Sequence, residues 1–142
     1  MIVVDATILL YAYDSTSSHH QKAREWVERT FSSESSVGLP WQSVAAFLRI
    51  MTNPRLPGER LTIAGAVEVI DRWLAQPNIQ LLSPAENHWP LLRHMMIEGQ
   101  AQGPLVTDAQ VAALAIEYGG VLHTTDRDFA RFPKLRWTNP LK

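Results

Sequence analysis

The chain has 142 residues, of which 46% are hydrophobic and 19% charged, the size and composition of one soluble globular domain covering 1–142. It contains no cysteine, which excludes disulfides, zinc–thiolate sites and thiol nucleophiles and favours a cytoplasmic protein. The net charge of -1 gives no global attraction to nucleic acid, so any RNA contact requires a local basic patch.

The apolar segments of the chain do not predict a membrane protein. No apolar run approaches the ~20 residues that a membrane helix needs. The apolar start, MIVVDATILLYAY, is interrupted by Asp5 and lacks both a basic region and a small-residue cleavage site. We therefore expect neither a membrane anchor nor a signal peptide.

The first half of the chain alternates short β-branched runs with amphipathic segments. Ile2–Val4 is continuously apolar, which is typical of a strand buried on both faces of a parallel sheet. Ser18 and Gln21 have capping-box spacing at the start of one amphipathic segment, and Pro40 can open the next at its first turn. These signals predict strands over 2–4 and 37–39 and helices over about 19–31, 41–52 and 66–74.

The second half continues the same alternation. Residues 83–86 combine a capping box with Pro at the first helical position, which predicts a helix through about Glu98. Residues 107–110 are expected to cap an alanine-rich helix that ends at Gly119-Gly120. Strands are predicted over 79–82, 121–124 and 135–137, with a turn of helix around Phe129. The alternation predicts an α/β fold with a central parallel sheet and helices on both faces.

Aspartates fall where open parallel sheets bind ligands, at the carboxyl ends of strands. Asp5 ends the first strand, Asp108 opens a helix, and Asp126 follows the strand 121–124, with Asp128 two residues further on. If the first strand and the strand 121–124 are neighbours, these side chains converge.

Converging carboxylates indicate a cation site. Their mutual repulsion raises their pKa values unless a cation compensates, and Mg²⁺ or Mn²⁺ prefers such hard oxygen ligands. A divalent ion held there can support phosphodiester hydrolysis. Asp108 also has a structural interpretation, since an acid favours a helix N-terminus, and Asp126 and Asp128 have another as turn residues. Asp5 is harder to explain structurally, because a buried carboxylate without a partner is costly.

Four segments of the chain resemble successive blocks of the PIN-domain ribonucleases, and the VapC toxin branch is the most similar. The similarity extends from Ile2 to Pro140 in the right order and spacing. The segments are VDATIL at 4–9, FLRIMTNPR at 47–55, TDAQVAALA at 107–115 and TTDRDFARF at 124–132.

This resemblance implies a three-layer α/β/α sandwich, dependence on Mg²⁺ or Mn²⁺, endonucleolytic cleavage of RNA, a homodimer, and neutralisation by a small VapB-like antitoxin. Asp5, Asp108 and Asp126 match the acids of the family's metal site, and Asp128 matches an additional acid of many members. Two further residues, Thr7 and Thr125, match small polar positions beside those acids.

One position departs from the family pattern. Many relatives carry a glutamate in the helix before the Phe-Leu-Arg segment, where this chain has Ala46. Gln42, Ser43 and Arg49 lie about one turn away on the same face of that helix. Gln42 or Ser43 could supply a neutral oxygen instead, and Arg49 could contact phosphate.

Two other functions remain open at this stage. The missing glutamate suggests a degenerate PIN domain that binds RNA or an antitoxin without catalysis. A phosphotransferase built on a D-x-D motif is disfavoured, since such enzymes usually place the pair on the first strand, which here offers one acid.

A basic cluster lies near the acids and comprises Arg127, Arg131, Lys134 and Arg136. It is interpreted equally well as an RNA backbone contact or as a solvated surface.

Overall fold

The computed structural model describes all 142 residues. Its centre is a parallel sheet of five strands in the spatial order β3-β2-β1-β4-β5. The strands are β1 (Ile2–Val4), β2 (Val37–Pro40), β3 (Ile79–Leu82), β4 (Val121–His123) and β5 (Trp137–Thr138).

Six α-helices cover the two faces of the sheet, and a 3₁₀ helix follows β4. The helices are α1 (Ala6–Tyr13), α2 (His20–Phe31), α3 (Trp41–Met51), α4 (Ile63–Leu74), α5 (His88–Glu98) and α6 (Leu105–Glu117), and the 3₁₀ helix is Arg127–Arg131. No helix combines the length and the apolar character that a bilayer span requires.

The core divides into two apolar layers, one on each side of the sheet. Because successive side chains of a strand point to opposite faces, Val4 packs with residues of α1 to α4, while Val3 packs with residues of α5 and α6. The continuous apolar run of β1 is therefore buried on both faces, as the sequence predicts. The expected α/β/α sandwich with a parallel sheet is confirmed.

Helix α1 is an element that the sequence pattern did not predict. Its eight residues, ATILLYAY, are apolar almost all around, so they show no helical periodicity. The helix begins directly after Asp5, whose side chain accepts a hydrogen bond from the backbone N–H of Ala6. Asp5 is therefore both the end of the first strand and the N-cap of the first helix.

The starts of two other helices differ from the predictions. Helix α5 begins at His88 rather than near Pro84, because Ala85 N–H donates to Glu117 Oε2 at 3.0 Å, which ties this segment to α6 instead. Helix α2 has no side-chain cap at its N-terminus, so the predicted capping box at Ser18 is wrong. The hydroxyl oxygen that accepts a hydrogen bond from His19 N–H belongs to Ser17.

Helix α6 begins at Leu105, two residues before the predicted cap. Pro104 stands at its N-cap, and Asp108 therefore lies within the first turn rather than at the start. The helix ends where predicted: Gly119 adopts a φ of 64°, and a Cβ on Gly120 would lie 2.6 Å from Val3 Cγ2. This close approach packs the C-terminal end of α6 against β1, and the first turn, at the other end of the helix, contributes Asp108 to the cavity that Asp5 lines.

Candidate active site

The carboxyl ends of β1 and β4 meet at one edge of the sheet. The two strands are parallel neighbours with Val4 opposite His123, and Asp5 N–H donates to the carbonyl oxygen of His123 at 3.1 Å. Asp5 follows β1 and Asp126 follows β4 within three residues. The strands β1 and β4 are therefore neighbours, which is the condition for convergence of the acids, and Asp5 and Asp126 line the same cavity.

Asp5 is buried, with 8% of its surface exposed, and both of its carboxylate oxygens accept hydrogen bonds. Oδ1 accepts from Ala6 N–H at 2.8 Å, and Oδ2 accepts from the hydroxyls of Thr124 at 2.7 Å and Thr7 at 3.1 Å. Burial nevertheless raises the pKa of Asp5, against the lowering effect of these hydrogen bonds, and the charge of Asp126 adds to the increase. The three hydrogen bonds hold the carboxylate in a fixed orientation.

The turn after β4 orients the second acid. Thr124 is fully buried, and its Oγ1 accepts a hydrogen bond from Asp126 N–H at 3.0 Å while donating to Asp5. Asp126 in turn caps the 3₁₀ helix through the N–H of Asp128 at 2.9 Å. The family resemblance suggested Thr125 as the small polar neighbour, but the hydroxyl that joins the two acids belongs to Thr124, and Thr125 does not line the cavity.

Asp108 enters the cavity from the first turn of α6. Its pKa is raised to about 6, first by burial and then by the negative charges of Asp5, Asp126 and Asp128, while Arg131 lowers it. Asp128 itself is exposed and lies outside the cavity lining. It therefore acts on the site through its charge at the rim.

The cavity has a volume of about 280 Å³ and is completed by one face of α3. Ser43 is buried, and its hydroxyl donates to the carbonyl oxygen of Val4 at 2.8 Å, which fixes the start of α3 beside Asp5. Gln42 lines the cavity, and its Oε1 is buried without a hydrogen-bond partner. Arg49 is the only cationic side chain among the lining residues, and Ala46 occupies the wall between Gln42 and Arg49.

This donor set fits a hydrated divalent cation. No three acidic or histidine side chains are close enough together to bind an ion by themselves. Mg²⁺ does not require such a cluster, since it usually keeps several waters and binds through one or two carboxylates. Asp5 and Asp108 line the same cavity, and the pKa of each is raised. Arg49 is the single cation in the lining, so a divalent ion would supply the positive charge that stabilises the carboxylates.

The basic cluster predicted near the acids does not form a free patch. Arg131 Nη1 donates to the carbonyl oxygen of Gly99 at 3.0 Å, and Arg136 Nη2 donates to that of Gly119 at 3.0 Å. Both guanidinium groups therefore hold loops, and only Arg127 and Lys134 remain as exposed cations without such a contact. Arg49, on the opposite wall, is the cation that lines the cavity.

Comparison with known proteins adds an independent observation. Residues 2–135 match the PIN domain family. The chain is 36% identical over 142 residues to Ribonuclease VapC33 of Mycobacterium tuberculosis, with 100% of this chain and 99% of that protein covered. It is also 36% identical over 140 residues to Ribonuclease VapC37 of the same organism, with 99% and 97% covered.

Solved structures share the fold at low sequence identity. VapBC2 of Rickettsia felis, bound to a DNA fragment from its promoter, matches with a TM-score of 0.72 at 15% identity, covering 98% of each chain. VapC20 of Mycobacterium tuberculosis, a toxin that cleaves the Sarcin-Ricin loop, matches with a TM-score of 0.69 at 14% identity, covering 96% of this chain and 99% of that one. The five-stranded sandwich described above is thus a fold that these proteins have in common.

Proposed function

Because the chain belongs to the PIN domain family, and within it to the VapC ribonucleases, we propose that it is a metal-dependent endoribonuclease, the toxin of a toxin–antitoxin pair. Full-length similarity to relatives named ribonucleases supports RNA as the substrate. The observation that carries the metal-dependent chemistry is the cavity between β1, β4 and α6, where the carboxylates of Asp5, Asp108 and Asp126 converge.

Asp5, Asp108 and Asp126 would hold Mg²⁺ or Mn²⁺ in part through the ion's hydration water, since the three carboxylates are not close enough to bind it by themselves. When bound, the ion supplies Lewis-acid stabilisation of charge on the phosphate and makes water a stronger nucleophile. The chain supplies orientation: Thr7 and Thr124 hold the Asp5 carboxylate, and Ser43 fixes the neighbouring helix. Because these hydrogen bonds exist before any substrate arrives, the site is preorganised for charge that develops during cleavage.

Arg49 is suited to contact the RNA backbone. It is exposed, lines the acidic cavity, and forms no ion pair in the structure. A guanidinium group can donate two parallel hydrogen bonds to one phosphate, which positions the strand without reading its sequence. We assign Arg49 this positioning role, with Asp128 at the rim acting through its charge on Asp108.

The proposed partners are a VapB-like antitoxin and a second copy of the chain. Several solved structures that share this fold are VapBC complexes. Helix α4 exposes apolar side chains that a partner could cover, among them Ile63, Val67 and Leu74, with 62%, 45% and 37% of their surfaces exposed. A cytoplasmic location follows from the proposal, since the RNA substrate is there.

The proposal is tested by incubating the purified protein with RNA and Mg²⁺ or Mn²⁺, with and without EDTA. We expect cleavage that EDTA abolishes and that Asp126→Asn reduces more than about 100-fold, because a carboxylate ligand is lost. Sequencing of RNA 5′ ends in cells that express the parent or Asp126→Asn would identify the cleavage site.

A degenerate PIN domain is the second candidate, and Ala46 in the cavity wall is the observation that favours it. Such a protein would bind RNA or antitoxin but would not cut RNA. Titration with Mn²⁺ separates the two functions, because absence of divalent-ion binding together with RNA binding would support the binding module. Metal-dependent cleavage that Asp126→Asn abolishes would exclude it.

A further inference from the structure

Helix α3 supplies one wall of the cavity without supplying a carboxylate. The residues that it turns toward the cavity are Gln42, Ser43, Ala46, Arg49 and Ile50, which follow helical spacing along one face. Ala46 ends at Cβ and offers no oxygen. Any oxygen that α3 contributes to a cation must therefore come from the first turn, from Gln42 or Ser43.

The structure distinguishes these two residues. The Ser43 hydroxyl donates to the carbonyl oxygen of Val4, the residue that precedes Asp5, and it is almost fully buried. Gln42 forms no such bond: its Oε1 is buried and has no hydrogen-bond partner. Buried acceptors without a donor are rare in folded proteins, and each one calls for a physical explanation. Because Gln42 lines the adjacent cavity, rotation of its amide toward a cation there would give this oxygen a partner.

We propose that Gln42 Oε1 is the oxygen that α3 contributes to the divalent cation, in place of the glutamate absent at position 46. The proposal rests on the metal-dependent function proposed above. An amide oxygen is a hard ligand of the kind that Mg²⁺ and Mn²⁺ accept. Because it is neutral, it adds no repulsion to a cavity that already contains three carboxylates.

The proposal also predicts the number of ions. Three carboxylates, from Asp5, Asp108 and Asp126, and the guanidinium of Arg49 give the cavity lining a net charge of about -2, which one divalent ion balances. A second ion would leave the cavity with a net charge of about +2, and no further carboxylate in the lining would compensate it. One ion for each chain is therefore the expected stoichiometry.

The test is calorimetric titration of Mn²⁺ into the purified full chain without RNA, so that binding is measured separately from activity. We expect Gln42→Ala to raise the Kd for Mn²⁺ by about 10-fold, within the range for loss of a group that contacts a metal site. Gln42→Glu restores a charged oxygen and should bind Mn²⁺ at least as tightly as the parent. Gln21→Ala is the matched control, since Gln21 is also the second residue of a helix but is exposed and distant from the cavity.

The outcomes separate this proposal from the proposed function. If the parent binds Mn²⁺ and Gln42→Ala binds it with the same Kd, Gln42 is not a ligand, although the metal-dependent function stands. If the parent binds no Mn²⁺, the metal-dependent function itself fails. Thermal denaturation of each variant shows whether it is folded. If Gln42→Ala does not fold, Gln42→Glu decides the question. Weaker Mn²⁺ binding by Gln42→Glu than by the parent would overturn the proposal, and binding at least as tight would support it.

Discussion

Two aspartates, one at each end of helix α1, have opposite surroundings in this protein. Asp5 is buried in the cavity beside other carboxylates, and its pKa is raised. Asp14 follows α1 at the surface, and its pKa is lowered, first by a hydrogen bond from the Thr16 side chain. The difference lies in what surrounds each charge rather than in the residue type.

Asp14 forms a clasp between two loops, which we define by Asp14, Thr16, Gly58 and Glu59. Asp14 Oδ1 accepts hydrogen bonds from the N–H and hydroxyl of Thr16 and from Glu59 N–H, at 3.0, 2.6 and 3.1 Å. Gly58 has a φ of 100°, and a Cβ there would lie 2.5 Å from Asp14 Oδ2. Both carboxylates accept three hydrogen bonds, but at Asp14 these bonds outweigh burial, whereas at Asp5 burial outweighs them and the charge of Asp126 adds to its effect.

This comparison predicts that removing charge from the cavity impairs function and preserves the fold. Asp5→Asn should reduce RNA cleavage more than about 100-fold, because a charged ligand is lost. The amide oxygen still accepts from Ala6 N–H, so the cap of α1 is preserved. Initial cleavage rates with Mg²⁺, together with circular dichroism, measure both effects.

Asp71→Asn is the control for this experiment, since Asp71 is exposed on α4 and makes no contribution to the cavity. It should cleave at the parent's rate. Equal rates for Asp5→Asn and the parent would remove Asp5 from the site, and an unfolded Asp5→Asn would show that the buried charge is a structural requirement.

The clasp should show the converse behaviour. Asp14→Ala removes the acceptor of three hydrogen bonds, and we expect it to lower the free energy of unfolding by about 1 to 2 kcal/mol, or the Tm by about 3 to 8 °C. Cleavage by the folded variant should be unchanged, because the clasp does not line the cavity. Loss of cleavage well below the Tm would contradict the separation of the two regions.

The elements of the fold were largely predictable because their signals are local. The strand 79–82 was predicted with its observed bounds, and helix α3 was predicted to within a residue at its end. Helix α1 was missed because a helix buried on nearly all sides has no polar face to mark its period. The start of α5 was misplaced because the contact that decides it, from Ala85 to Glu117, joins residues 32 positions apart.

In the candidate site, too, local patterns predict the position of a residue but not the contacts of its side chain. The sequence could place Asp5 and Asp126 at strand ends, since that depends on pattern alone. It could not choose Thr124 over Thr125, because successive residues after a strand point in different directions and only packing decides which hydroxyl faces inward. Similarly, the different roles of Gln42 and Ser43 depend on one hydrogen bond to Val4.

The smallest expected effect concerns the pH dependence of stability. Asp108 has a folded pKa of about 6, above the ordinary aspartate value of 3.8, so the folded protein binds its proton more tightly than the unfolded chain does. Its contribution to stability is therefore present at low pH and is lost as the pH rises from about 4 to about 6. Asp14 has a lowered pKa, so its contribution is present above about 4 and is lost as the pH falls further.

Asp108→Asn should therefore stabilise the metal-free protein at pH 7, by on the order of 1 kcal/mol, since solvent screens a half-buried carboxylate and reduces the full effect of the shift. Thermal denaturation in EDTA should show a Tm higher by about 3 °C for the variant at pH 7, and no difference near pH 4. Saturating Mg²⁺ should reverse the order, because the ion stabilises the folded parent in proportion to its affinity and Asp108→Asn binds it more weakly. A variant that is less stable than the parent in EDTA at pH 7 would mean that the charge on Asp108 is already compensated within the chain, as the charge on Asp14 is.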